Sequence, residues 1–119
     1  PECGGCQLQH ADDSVYAGYL VSRVETALAQ HGLETDIRAP HLSPPNSRRR
    51  ASLRALRVGA GVALGFNAER SHRIVDMREC HILRPELFAL VAPLRALLAN
   101  LLAPRRGAEI QLTLADRGR

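Results

Sequence analysis

Val15, Tyr16, Tyr19, Leu20, Val24, Ala27 and Leu28 recur at intervals of three and four, the spacing of one helix face. Asp12, Asp13 and Ser14 precede them as N-cap residues, and Gly32 follows where a helix ends in the left-handed conformation. A helix is therefore predicted over about 13–31. Ser43-Pro44-Pro45-Asn46-Ser47 excludes helix, because each proline restricts its predecessor and removes a donor. The period then changes. Ala51, Leu53 and Ala55 alternate with Arg50, Ser52 and Arg54, which predicts a strand ending near Arg57. Gly59-Ala60-Gly61 supplies a turn, and Val62 to Asn67 reads as the returning strand. Glu69-Arg70-Ser71-His72 predicts a second turn before a short strand at Ile74 to Arg78.

Pro85 suits a first helical position, and Leu87, Leu90, Val91, Leu94, Leu97, Leu98, Leu101 and Leu102 give the helical region behind it a broad apolar face. Pro93 should kink that region or split it in two, and Pro104 and Gly107 close it. Ile110, Leu112 and Leu114 form a last alternating strand. The order helix, three strands, helix, strand predicts an α+β fold. Its antiparallel sheet of about four strands would carry two helical regions packed on one face.

One hundred and nineteen residues suffice for a single domain with a real core. No apolar run approaches the roughly 18 residues of a membrane span, and no cleavable leader is visible, so the expected setting is the cytoplasm without a membrane partner. The only methionine is Met77, and Asp116-Arg117-Gly118 is a turn signal straight after a strand, so the chain reads as a piece of something longer.

The cysteines number three: Cys3, Cys6 and Cys80. Cys3-Gly4-Gly5-Cys6 lets two sulfurs reach one metal, and its glycines free the backbone to point N–H groups at them. By itself such a pair suits half a zinc site, part of an iron–sulfur site, a redox pair or two incidental thiols. The redox reading lacks a preceding strand and a βα frame. Cys80, between Glu79 and His81, is not in an apolar run, unlike a cysteine that merely fills a core. Three cysteines are one short of a closed site; His10 or His81 could complete one for zinc, or a fourth ligand could lie upstream of Pro1. Cys80 and His81 are not a nucleophile–base pair, because neighbours on a strand point to opposite faces. No complete catalytic constellation is present, and no glycine-rich loop marks a nucleotide-type cofactor site.

All sixteen basic residues are arginines. Between Ile37 and Ala68 there is no acid, while Arg38, Arg48, Arg49, Arg50, Arg54 and Arg57 all fall there. A one-signed patch of forked guanidinium groups attracts phosphate, although a solvated face would look the same. Aromatic residues are scarce, with Phe66 alone near the basic strand, so nucleic-acid binding would be phosphate-led. Arg48, Arg49, Arg50, Arg54, Phe66, Arg70 and His72 are the candidate nucleic-acid-binding residues.

Taken in order, Cys3-Gly4-Gly5-Cys6-Gln7-Leu8-Gln9-His10, Ser43-Pro44-Pro45 ahead of Arg48-Arg49-Arg50-Ala51, Leu64-Gly65-Phe66, Ser71-His72-Arg73-Ile74-Val75-Asp76 and Cys80 resemble the bacterial 23S ribosomal RNA (uracil-5-)-methyltransferases. The resemblance covers essentially the whole chain. It implies a central domain, residues 1–119, of an enzyme whose N-terminal OB-like domain and C-terminal S-adenosylmethionine-binding methyltransferase domain lie outside this sequence. It implies that Cys3, Cys6 and Cys80 are three of four cysteine ligands of a [4Fe–4S] cluster, the fourth preceding Pro1. The implied partner is ribosomal RNA, with no obligate protein partner in view. The segment alone would be inactive, since the cysteine that attacks uracil C6 belongs to the C-terminal domain. The competing reading is a zinc-dependent nucleic-acid-binding module that is not an enzyme.

Overall fold

A computed structural model describes residues 2–116. The chain divides into two compact units, Leu8–Ser43 and a second made of Glu2–Gln7 with the residues from Pro44 onward.

The first unit is built on helix α1, Asp13–Ala29. Asp12 caps it: its carboxylate accepts from the Val15 amide at 2.8 Å and from the Ser14 hydroxyl at 2.8 Å. Those two bonds, the Val15 amide first, hold the Asp12 carboxyl below its ordinary range. Gly32 closes the C-terminal end at φ +65°, as the sequence predicts, while the Leu33 amide reaches back to the Leu28 carbonyl at 3.0 Å. No residue of α1 is buried.

The second unit is an α+β sandwich of one sheet and one helical layer. Strands β1 (Arg50–Val58), β2 (Gly61–Asn67), β3 (Ile74–Asp76) and β4 (Gly107–Thr113) form an antiparallel sheet in the order β3-β2-β1-β4. Helices α2 (Pro85–Phe88) and α3 (Val91–Leu101) connect its two edge strands. Pro93 does split the second helical region, taking its place in the first turn of α3, where a missing amide costs no helical bond.

Alternation along β1 is strict up to Leu56. Ala51, Leu53 and Ala55 are buried, and Arg50, Ser52, Arg54 and Leu56 are exposed on the opposite face. The inner set joins Val62 and Leu64 of β2, Met77, Leu83, Leu87 of α2, and Val91 and Leu98 of α3 in a single core. Leu53, Leu64 and Leu83 are the most completely buried, each stabilising the unit by roughly 1.5–3 kcal/mol. The broad apolar face expected of the helical region is wider than the sheet can cover. α3 packs on β2 and less on β1, leaving Leu90, Leu97 and Leu101 exposed. Strand β3 is also shorter than expected, ending at Asp76, so Cys80 lies in the loop that follows it.

Two close approaches set the sheet's geometry. A Cβ on Gly65 would collide with the Val75 carbonyl oxygen, so only glycine lets β3 lie so close to β2. The Asp76 carboxylate accepts from the Leu64 amide at 3.0 Å and from Arg95 of α3 at 2.7 Å, and Arg95 also donates to the Met77 carbonyl at 3.1 Å. The helix is thus fastened to the β2–β3 edge. The turn expected at Asp116-Arg117-Gly118 falls largely outside the described residues.

Candidate cofactor loop and nucleic-acid interface

Residues 2–7 belong to the sheet unit although they are remote from it in sequence. Cys3 forms an antiparallel bridge with Ala68, and the Gly4 amide donates to the Asn67 carbonyl at 2.9 Å. The loop is therefore held against the end of β2 by a single bridge. Gly4 is needed for this, and Gly5 eases it. A Cβ on Gly4 would stand 2.8 Å from the Asn67 carbonyl oxygen, and one on Gly5 would stand 3.3 Å from the Phe66 ring and 3.4 Å from Cys3 Sγ. Arg73, 3.1 Å from Glu2, adds an ion pair at the loop's start.

Cys80 approaches from the other side. Asn46 and Arg48 run parallel to the segment after it, with the Asn46 amide donating to the His81 carbonyl at 2.8 Å and the Arg48 amide to Ile82 at 2.9 Å. Cys80 packs against the core. All three cysteines are half-buried thiols outside any disulfide. Burial and the neighbouring Cys3 push the Cys6 thiol above its ordinary value, Arg48 pulls it down, and Cys80 adds a smaller upward push. Cys6 therefore lies close enough to Cys3, Arg48 and Cys80 to feel their charges. The three thiols are not drawn together as ligands of one ion: among the described residues, no three His, Cys, Asp or Glu side chains are so grouped.

The outward face of the sheet carries the other candidates. A groove of about 470 Å³ is lined by Arg54, Leu56, Asn67, His72, Ile74 and Glu109. A second, of about 280 Å³, opens between the cysteine loop and the end of β2 and shares Arg54 and Asn67 with the first. Arg70 and Phe66 line this second groove. Arg54, Arg70 and His72 thus line adjoining grooves, and Arg50 shares the outward side of β1.

Arg48 and Arg49 are placed differently. Arg48 is not among the residues lining either groove and lies close enough to Cys6 to lower its thiol. Arg49 donates to the Leu114 carbonyl at 3.1 Å and pairs with Asp116 at 2.7 Å, which fastens the end of β4. That pair holds the Asp116 carboxyl below its ordinary range. The acid-free stretch is less one-signed in space than in sequence, because β4 also carries Glu109 to within 3.4 Å of Arg54. Phe66 packs partly on the core and abuts Gly5, so its ring supports the loop.

Asn67 is the residue that sequence reasoning missed. It lines both grooves, and its buried side-chain oxygen has no hydrogen-bond partner. The β1–β2 register places it beyond Gly65, itself opposite Arg54. Only that register, which the sequence does not state, could have singled it out.

These features lie in a chain with close relatives. An uncharacterised RNA methyltransferase of Zymomonas mobilis is 46% identical over 117 residues, 98% of this chain and 30% of that protein. One of Brucella suis is 38% identical over 118 residues, covering 98% of this chain and 28% of the relative. The 23S rRNA (uracil(1939)-C(5))-methyltransferase RlmD of Bordetella pertussis is 33% identical over 128 residues, 96% of this chain and 26% of that enzyme. No family model matches. The chain is thus homologous, over nearly all its residues, to a segment of bacterial RNA methyltransferases, among them ribosomal RNA uracil-C5 enzymes. It spans less than a third of the length of these curated relatives.

Proposed function

We propose that these residues are the cluster-bearing, RNA-contacting segment of an S-adenosylmethionine-dependent RNA (uracil-5-)-methyltransferase acting on ribosomal RNA in the cytoplasm. Methyl transfer and S-adenosylmethionine binding belong to the remainder of such an enzyme, so this segment alone is inactive. The observation that carries the reading is the homology of this chain to such enzymes, with Cys3, Cys6 and Cys80 all in one unit.

The donor set fits an iron–sulfur cluster. Thiolates are its ordinary ligands, and Gly4 and Gly5 keep the loop free of side chains at its approach to β2. Arg48 offsets the charge of gathered thiolates. Cys3, Cys6 and Cys80 would hold a [4Fe–4S] cluster, with a fourth thiolate from outside these 119 residues. When bound, the cluster supplies metal–thiolate cross-links between distant parts of the sequence.

On the outward face, Arg50, Arg54, Arg70 and His72 offer cationic or hydrogen-bonding groups to a single RNA strand. Metal analysis of the full-length protein, prepared anaerobically, tests the cluster. About four irons with matching sulfide are expected, and Cys80→Ser should abolish them. Stoichiometric zinc in a colourless protein would sink the proposal and leave a zinc-dependent nucleic-acid-binding module.

A further inference from the structure

Four strands are wider than one helix. Strands lie about 4.8 Å apart and a helix with its side chains is about 10 Å across, so one helix covers roughly two strands. Helix α3 lies over β2 and less over β1, and Arg95 ties one of its flanks to Asp76 at the end of the edge strand β3. Leu90, Leu94, Leu97 and Leu101 follow one another at helical spacing and form a single stripe. At roughly 100° per residue, Leu90, Leu97 and Leu101 stand about 120–160° round the axis from Arg95. The stripe therefore looks toward the β1–β4 side of the sheet. There β4 supplies a floor. Ile110 and Leu112 pair with Leu53 and Ala51 and share their inward face, yet both are only half-buried whereas Leu53 is fully buried. The leucine stripe and the inner face of β4 bound a trough with an apolar wall and an apolar floor.

We infer that this trough seats a helix contributed by the same polypeptide from outside these 119 residues, an intramolecular contact that buries the leucine stripe. The inference rests on the homology alone and is independent of the cluster and of RNA binding. Leu90, Leu97 and Leu101 are 44%, 52% and 68% exposed, and the only charged residue of α3, Arg95, is engaged by Asp76. A helix so apolar on several sides is one that is covered on several sides. The occupant is helical. A second helix about 8–10 Å from α3 continues the helical layer, whereas irregular backbone pressed on this floor would leave its N–H and C=O groups unpaired. It belongs to the same chain for two reasons. In the relatives matched over nearly all of this chain, the matched segment is less than a third of the protein, so most of the polypeptide lies outside it. Four leucines and a few residues of β4 are also too few for a stable complex between separate molecules, which uses roughly 20–30 residues a side. A tethered segment arrives at an effective concentration in the millimolar range, so a small patch suffices to hold it.

The test uses the full-length protein with the photoreactive residue p-benzoylphenylalanine in place of Leu97. Irradiation should give a product with the mass of a single chain, whose cross-linked peptide comes from outside residues 1–119. A product of twice that mass means that a second copy fills the trough. That result overturns the inference, as does the lack of any cross-linked peptide from outside residues 1–119. Because a bulky probe can disturb the contact it reports, a small substitution gives an independent reading. Leu97→Cys and Leu101→Cys should react with a maleimide about tenfold more slowly than Ala60→Cys in the exposed β1–β2 turn, read peptide by peptide in a mass spectrometer. The protection should survive a dilution of about a hundredfold, since it does not depend on a second molecule. Equal rates overturn the inference, and so does protection that vanishes on dilution. Leu97→Glu should lower the thermal midpoint by several degrees, while Ala60→Glu leaves it unchanged. A Leu97→Glu protein as stable as the wild type would also overturn the seat; one that fails to fold leaves the decision to the two cysteine variants.

Discussion

Replacing Asp76 by alanine probes the joint between α3 and the β2–β3 edge. One carboxylate oxygen accepts two bonds, from the Leu64 amide at 3.0 Å and from Arg95 at 2.7 Å. Removal leaves the Leu64 amide without that acceptor, inside a residue that is fully buried. Arg95 keeps only the Met77 carbonyl, and its Nε is already buried without a partner. A hydrogen bond to a charged group contributes about 1.5–3 kcal/mol net when removal strands its partner. The ionic half must be discounted, because the Arg95 and Asp76 side chains are 32% and 40% exposed. Asp76→Ala should then destabilise the protein by roughly 2–3 kcal/mol, and Asp76→Asn, which retains an oxygen for Leu64, by roughly 1 kcal/mol. Urea unfolding followed by far-UV circular dichroism, with a double-mutant cycle against Arg95→Met, measures both the loss and the coupling. A loss below about 0.5 kcal/mol for Asp76→Ala, or effects that simply add, would refute this account of the joint.

Gly65→Ala forces a methyl group against the Val75 backbone, so it should cost roughly 1–3 kcal/mol and disturb the β2–β3 amide resonances in an NMR spectrum. Arg50 has no acidic partner among the described residues, whereas Arg49 is occupied by Asp116 and Leu114. Arg50→Ala should accordingly weaken RNA binding and flatten its log–log salt slope by about 0.7, while Arg49→Ala shifts thermal stability and changes the slope little. The Asp12 carboxyl has a lowered value in the folded protein, so its contribution to α1 is complete above the ordinary value of 3.8 and fades as pH falls through the folded value. The Val15 amide shift should follow that loss on acidification, and Asp12→Ala should abolish the titration.

What the sequence disclosed was local. The period-two pattern of Ala51, Leu53 and Ala55, the turn at Gly59 and the break before Pro93 are each set by neighbours within a few residues, and all appear in the structure. The site was legible as a set of residues but not as a surface. Arg54 and Arg49 look acid-free in sequence, yet β4 returns Glu109 and the chain's end returns Asp116 from more than fifty positions away. Register made that difference, and register is a long-range property. The same holds for Asn67, whose importance comes from which strand faces it.

The bridge between Cys3 and Ala68 also imposes an order on events during synthesis. The first two cysteines leave the ribosome long before the strand end they lie against, and Cys80 follows later still. Strands β1, β2 and β3 are consecutive and can pair as they emerge, whereas β4 must wait for α3. Until β2 and the residue after it exist, the Gly4–Asn67 bond and the Cys3–Ala68 bridge cannot form. The end of β2 thus marks the earliest point at which the Cys3–Ala68 bridge can form.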